Sequence, residues 1–300
     1  LAAFQAAGPA AEVVRVGCLG LCEEEPLLDV LRPGRPRLVY GNADAARAAE
    51  VARALAEGRE LPDGAMFQMS RIPNILDDTV RDLAPGPIPG VPEYAQHPFF
   101  ARQVKIALRN CGFIDLEHIE EYIARGGYAA LAKVLAGMPR DRVILEVMKS
   151  GLRGRGGGGF PTGRKWESSA EVDAPQKVVI CNADEGDPGA YMDRSVMEGD
   201  PHSVLEGMAI GAYAVGANEG YIYIRTEYPL AVTQVEHAIR QARECGLLGT
   251  NILGSGFDFD VHIARGSGAF VCGESSALVA SIEGGPGEPR AKHIHLAESG

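Results

Sequence analysis

The sequence predicts an α/β fold in which a mostly parallel sheet is flanked by helices. Three observations carry this expectation. From Gln176 onward, short β-branched runs alternate with helical patterns of the lengths that βαβ units use. A run rich in glycine and arginine, GLRGRGGGGFPTGRKW at 151–166, precedes the first of those strands. A hairpin and helix behind a Cys-x-x-x-Cys pair fill the first 58 residues, ahead of a proline-rich stretch.

Residues 13–40 alternate short apolar runs with turns, and PLLDVL and PRLVY on either side of RPGR read as a hairpin. Asp44 then caps an alanine-rich helix with Val51 and Leu55 on one face and Gly58 at its end. Residues 59–98 carry Pro62, Pro73, Pro85, Pro87, Pro89, Pro92 and Pro98. Proline fixes the backbone and removes donors, so this stretch reads as an extended connector that lies on a neighbouring surface. Helical patterns dominate 98–149, including one capped by Asp115, with Ile119, Tyr122 and Ile123 on one face and Gly126 at its end.

The glycine run contains a formal G-x-G-x-x-G at Gly154, Gly156 and Gly159. A dinucleotide fingerprint follows a strand and opens directly into a helix. Here the helical pattern of 139–149 precedes it and Pro161 interrupts the residues after it, which argues against the standard turn. The amides of 154–159 can instead form a nest for phosphate oxygens, with Arg153, Arg155 and Lys165 supplying positive charge. A plain flexible linker would be a Gly/Ser mixture, without Phe160, Pro161 and the single tryptophan, Trp166.

QKVVIC at 176–181 reads as a buried strand that delivers Asn182, Asp184, Glu185, Asp187 and Asp193 at its C-terminal end, the edge where open α/β sheets bind ligands. A solvated acidic loop is the bland alternative. A calcium loop lacks its glycine and glutamate register here. Asp200 and Pro201 start a helix with Val204, Leu205, Met208 and Ala212 inward. Strand YIYIR at 221–225, a helix from Pro229 and a strand at 257–263 complete the βαβ pattern. The last strand leads to GSGAFVCGESSAL, whose Gly273 and Glu274 open a further helix suited to an anion.

The hydrophobic fraction of 46% suffices for a core, and the net charge of −11 argues against a nucleic-acid or anionic-membrane surface. No apolar run approaches the roughly 20 residues that span a bilayer. No leader pattern opens the chain, and the cytoplasm is the expected compartment. The six cysteines form no dense disulfide framework, so reduced thiols are expected, with Cys111, Cys181, Cys245 and Cys272 as small hydrophobes. Without an initial methionine or a closing signal, the sequence reads as part of a longer chain.

The glycine run, CNADEGDPGAYMDR at 181–194, GDPHSVLEGMAIGAYAVG at 199–216, GSGAFVCGESSAL at 266–278 and EGGPGEPRAK at 283–292 together resemble one family. It is the FMN- and NADH-binding subunit of respiratory complex I, with the related diaphorase subunits of NAD-dependent formate dehydrogenases and hydrogenases. The resemblance covers roughly residues 97–300. It implies a Rossmann-like FMN/NADH domain over 97–300, the C-terminal half of a thioredoxin-like 2Fe–2S domain over 1–58 and a connector over 59–96. A ubiquitin-like domain and a helical 4Fe–4S domain would come next.

The resemblance also implies residue roles. FMN is held by Gly154, Arg155, Gly156, Gly157, Lys165, Asn182, Asp184, Glu185, Gly273 and Glu274. NADH is met by Phe160, which stacks on it, and by Asp187, Ser275 and Lys292. Cys18 and Cys22 match the second half of a 2Fe–2S ligand set that needs four thiolates. Structural zinc also wants four ligands, and no second Cys/His pair follows at finger-like spacing. Asp187 and Ser275 stand where complex I relatives carry Glu, Phe270 where Tyr is frequent and His295 where an aromatic is common. These departures suit a diaphorase better than complex I itself.

The implied activity is hydride exchange between NADH and FMN, followed by single-electron release to iron–sulfur partner subunits, with no side chain needed as acid or base. The rivals are a flavin-free NAD-binding dehydrogenase and a non-catalytic electron-transfer or assembly subunit. Formate, hydrogen, a quinone or another acceptor would be chosen by the partners.

Overall fold

The computed structural model describes residues 12–76 and 79–291. It divides into two units, one up to Phe113 and one from Ile114.

In the first unit, β1 (Leu28–Val30) and β2 (Arg37–Tyr40) form the expected antiparallel hairpin, with Leu28 opposite Tyr40 and Val30 opposite Leu38. Gly34 supplies the left-handed turn residue at φ 71°. Helix α1 (Ala45–Ala56) is capped as the sequence predicts, the Arg47 amide donating to Asp44 Oδ1 at 2.8 Å. Its Val51 and Ala52 pack on Leu38 and Tyr40.

The proline-rich stretch is more regular than the sequence predicts. Strand β3 (Phe67–Met69) pairs antiparallel with β2, and β4 (Arg71–Asn74) with β5 (Thr79–Asp82) makes a second hairpin. Gln68 is fully buried in β3, and its side-chain amide donates to the carbonyls of Ile88 and Val91 and accepts from the Ile88 amide at 2.7–2.8 Å. One side chain thus makes the hydrogen bonds that prolines 85, 87 and 89 have no N–H to offer.

The second unit begins with short helices α2 (Ile119–Ala124) and α3 (Ala129–Leu135), then α4 (Arg140–Ser150) and α5 (Thr162–Glu171). Three expectations change here. His118, not Asp115, is the residue before α2; Asp115 instead accepts from the Glu117 amide in a turn at 2.9 Å. Ile123 is exposed while Ile119 and Tyr122 are buried, because a helix of six residues turns only one narrow face inward. Pro161 does not break a helix; it immediately precedes α5, where a missing N–H is harmless.

The sheet is β6 (Val178–Ala183), β7 (Glu219–Arg225) and β8 (Asp260–Gly266), all parallel, with β7 central. Helix α6 (Met192–Gly199) and helix α7 (Pro201–Val215) lie between β6 and β7, and α8 (Pro229–Glu244) returns the chain from β7 to β8. Helix α7 buries ten of its fifteen residues: Leu205, Ala209 and Ala212 join Ile222 and Ile224 in one core, while Gly211 lets the Trp166 ring of α5 approach. Strand β6 is not the buried strand expected from QKVVIC. Among the described strands it pairs only with β7, so Val178 and Ile180 stay 42% and 36% exposed.

A buried polar chain ties α2 and α3 to α7 and α8. Tyr128 Oη bonds His202 Nδ1 at 2.9 Å, His202 Nε2 bonds Gln241 Oε1 at 3.0 Å, and Gln241 Nε2 donates to the Glu117 carbonyl at 2.8 Å. Burial depresses the His202 pKa from 6.5 to about 4. A depressed histidine contributes stability that is complete above the unfolded value of 6.5 and is lost as pH falls toward about 4, roughly 3 kcal/mol in all. Urea unfolding of wild type and His202→Gln at pH 7 and pH 4.5 checks this: the variant is expected to lose much less stability between the two. Asp193, raised to about 6 by burial and by Glu185, acts in the opposite direction and is common to both proteins.

Candidate functional site

The glycine run closes on itself as a loop between α4 and α5. The Gly154 amide donates to the Phe160 carbonyl at 3.0 Å and the Thr162 amide to the Leu152 carbonyl at 2.9 Å, which pairs Arg153 with Pro161. Arg153 Nε reaches across to the Gly159 carbonyl and an Arg155 Nη to the Arg153 carbonyl, both at 2.6 Å. Among the described residues, the amides of 155–159 donate to no protein acceptor. Gly157 and Gly159 need glycine for their left-handed φ of 100° and 59°. Gly156 and Gly158 do not: neither has such a φ, and a Cβ on either would meet nothing within 4 Å. Lys165 stands exposed in the first turn of α5, and Phe160 is 60% exposed.

A second group of expected residues meets at the C-terminal edge of the sheet. Asn182, near the end of β6, donates to the Gly273 carbonyl at 2.9 Å and accepts from the Asp184 amide at 3.1 Å. Asp184 packs against Gly273, where a Cβ would stand 3.4 Å from its Oδ2. Its side chain is wholly buried, and neither carboxylate oxygen has a hydrogen-bond partner among the described residues. Burial raises its pKa, and the Arg225 guanidinium, 3.7 Å away, works against that rise.

The other two carboxylates are already engaged. Glu185 accepts the amides of Met192 and Arg194 at 2.9 and 3.2 Å and so caps α6. Glu274 accepts those of Ser276 and Ala277 at 2.8 and 3.0 Å, together with the Ser276 hydroxyl, and caps α9 (Ser275–Ile282). Asp187 and Ser275 are exposed. Asn182, Asp184, Gly273 and Glu274 are therefore brought together. No hydrogen bond joins them to the 151–161 loop among the described residues. Lys292 lies outside the described residues.

A loop of unengaged amides beside a helix start, and a buried carboxylate without donors at the end of a parallel strand, are features that a phosphate-bearing ligand with N–H and O–H groups satisfies. Residues 147–300 match the family described as the Nuo51 FMN-binding domain. The chain belongs to this family. As a Nuo51-family chain it is 60% identical over 199 residues to the NADP-reducing hydrogenase subunit HndC of Solidesulfovibrio fructosivorans, covering 66% of this chain and 40% of that protein. It is 50% identical over 182 residues to an NADH-quinone oxidoreductase subunit of Aquifex aeolicus, covering 61% and 42%. Its fold is similar to that of an NAD+-reducing [NiFe]-hydrogenase in the H2-reduced state, with TM-score 0.52, 28% identity, and coverage of 87% of this chain and 38% of that one. The chain thus spans less than half the length of these relatives.

Several Nuo51-domain residues at this edge escape a reading by sequence. Arg225, the last residue of β7, donates to Glu227 Oε1 at 2.7 Å and to the Gly268 carbonyl at 3.2 Å. Tyr228 Oη donates to the Glu185 carbonyl at 3.0 Å, and the buried Ser276 hydroxyl accepts from the Arg290 amide at 2.9 Å. The only signal in the sequence was an arginine closing a strand that ends at a ligand-binding edge.

In the first unit, Cys18 and Cys22 bring their sulfurs to 3.8 Å, and the third group beside them is Glu25, which accepts from Cys18 Sγ at 2.7 Å. Burial, with this bond and the Glu25 charge, pushes the Cys18 thiol up to about 12. Among the described residues no further thiol joins the pair. Two thiols are half of the four thiolates that a 2Fe–2S cluster takes, so the described residues hold a partial ligand set at most.

Proposed function

We propose that this chain binds FMN and a reduced nicotinamide dinucleotide side by side and works as the NADH-oxidising module of a larger oxidoreductase. The single observation that carries the reading is the 155–159 run: its amides have no acceptor among the described residues, and glycine stands at 156 and 158 where the chain itself has no need of it. Glycine lowers folded stability through backbone entropy, so its presence there is explained by a ligand that lies against the main chain.

Gly154, Arg155, Gly156, Gly157 and Lys165 would hold the phosphate. Asn182, Asp184 and the Gly273 backbone would meet the remaining polar groups of FMN. Glu185 and Glu274 act on the same site through the helices they cap. Phe160, with its exposed ring, would stack on the dinucleotide, with Asp187, Ser275 and Lys292 beside it. When bound, FMN supplies two-electron acceptance from the nicotinamide and one-electron release to iron–sulfur centres. The protein's part is binding and orientation, and no side chain has to carry a proton.

The hairpin–helix order of the first unit supports residues 1–58 as half of a thioredoxin-like domain, with 59–96 as connector and 97–300 as the cofactor module. Partners would be iron–sulfur subunits that pass electrons on, and the cytoplasm the compartment. No described helix is long and apolar enough to cross a membrane.

Protein reconstituted with FMN tests the reading by its spectrum. A retained flavin absorbance that bleaches on anaerobic addition of NADH or NADPH, and turnover with an artificial acceptor, are expected. Colourless protein that binds the dinucleotide makes it a flavin-free dehydrogenase; retained colour that neither nucleotide bleaches makes it an electron-transfer or assembly subunit.

A further inference from the structure

Three carboxylates gather at the sheet edge, and two of them are held by helix amides. Asp184 differs: its carboxylate is buried, it accepts no hydrogen bond from the described residues, and the cation next to it is Arg225. At 3.7 Å the pair attracts without a direct hydrogen bond, so both carboxylate oxygens keep their lone pairs. The guanidinium is itself fixed. One of its Nη groups is anchored by Glu227 and by the Gly268 carbonyl, and the other faces Asp184. Gly186 leaves the space this requires: a Cβ there would lie 2.8 Å from that Nη and 2.6 Å from the Phe270 ring.

We propose that Arg225 is a positioning residue that keeps Asp184 charged and unbonded, so that this carboxylate meets a ligand N–H or O–H as an acceptor. The inference rests on the flavin reading above and names a residue that reading does not use. A protonated carboxyl donates through its O–H, and a ligand donor would then face a donor. Arg225 therefore decides which polarity the site presents. Beside Asp184 stand Arg225 and Glu227 from the end of β7 and Tyr223 within β7, with Glu274 next to the Gly273 on which Asp184 packs. Only Arg225 among them favours the ionised form; burial and Glu227 oppose it. An opposite charge this close shifts a carboxyl by about 1–3 pH units.

The test uses the whole chain with Arg225→Met and Arg225→Lys. Carboxyl 13C NMR of aspartate-labelled, ligand-free protein reads the Asp184 titration, assigned with Asp184→Asn. FMN fluorescence quenching reads affinity from pH 6 to pH 9. In R225M the Asp184 titration is expected to move up by about 1–3 units, and FMN affinity to fall most at the acid end of this range and recover as pH rises. R225K is expected to keep most of both, and adding D184N to R225M to lose little more. An unmoved Asp184 titration, or an affinity loss equal at every pH, overturns the role of Arg225. Should R225M fail to fold, Arg225→Gln, which also removes the charge, reads the same titration: an upward shift supports the proposal and none overturns it. Wild type that binds no FMN overturns the flavin reading, and the ligand-free titration still reports separately whether Arg225 controls Asp184.

Discussion

Gly156→Ala combined with Gly158→Ala is expected to leave the fold at least as stable as wild type while weakening FMN binding tenfold or more. A Cβ at either position meets no protein atom within 4 Å, and neither residue has a left-handed φ. Alanine narrows the unfolded ensemble at such sites and stabilises by about 0.4–1 kcal/mol each. A ligand lying on the main chain would instead be displaced by the two methyl groups, and about 1.4 kcal/mol of lost contact is already a tenfold change in Kd. Gly157→Ala is the internal control. Its φ of 100° is strained for any side chain, so it is expected to lower stability itself. Thermal unfolding and flavin titration of the three proteins separate the effects; equal FMN affinity in the double variant and wild type removes the main support for a phosphate at this loop.

Glu206→Ala is expected to give the largest loss of stability, about 4 kcal/mol. Glu206 sits in the middle of α7, 8% exposed, and its carboxylate accepts the Tyr122 hydroxyl at 2.6 Å and the amides of Tyr128 and Leu131 at 2.9 and 3.1 Å. Truncation would remove the acceptor that three buried donors share, two of them in the backbone at the start of α3. Tyr128 stands there at φ 59°, a conformation with little intrinsic stability that these bonds support. Glu206→Gln retains one acceptor oxygen and is expected to recover part of the loss, and Tyr122→Phe to cost about 1 kcal/mol. Urea unfolding measures all three, and a Glu206→Ala protein within about 1 kcal/mol of wild type contradicts the argument.

Features legible in the sequence were those set by neighbours along the chain. The Asp44 cap, the Pro33-Gly34 turn and the βαβ alternation depend on dihedral preference and periodicity over a few residues. The helix before the glycine run was visible in the same way, and with it the departure from a strand–loop–helix dinucleotide turn. What needed the structure was set by pairing between distant strands. Val178 and Ile180 read as buried because an apolar run does not reveal whether a strand has one neighbour or two. Parallel register brings the end of β7 beside the end of β6, so Arg225 meets Asp184 across 41 positions of chain with no local pattern to announce it. Glu185 and Glu274 were visible as acidic residues beside glycine. Their roles as caps were hidden, above all for Glu185, which reaches forward seven residues to the Met192 amide. Gln68 was equally silent, since one polar residue in a strand gives no sign of three bonds to a proline segment.

The two capped helices carry a kinetic consequence. Glu185 and Glu274 are clamped by main-chain N–H groups before any ligand arrives, so α6 and α9 are seated during folding. A cofactor reaching this edge then has little backbone left to order, and its capture should be governed by diffusion and desolvation, with a shallow dependence of on-rate on temperature.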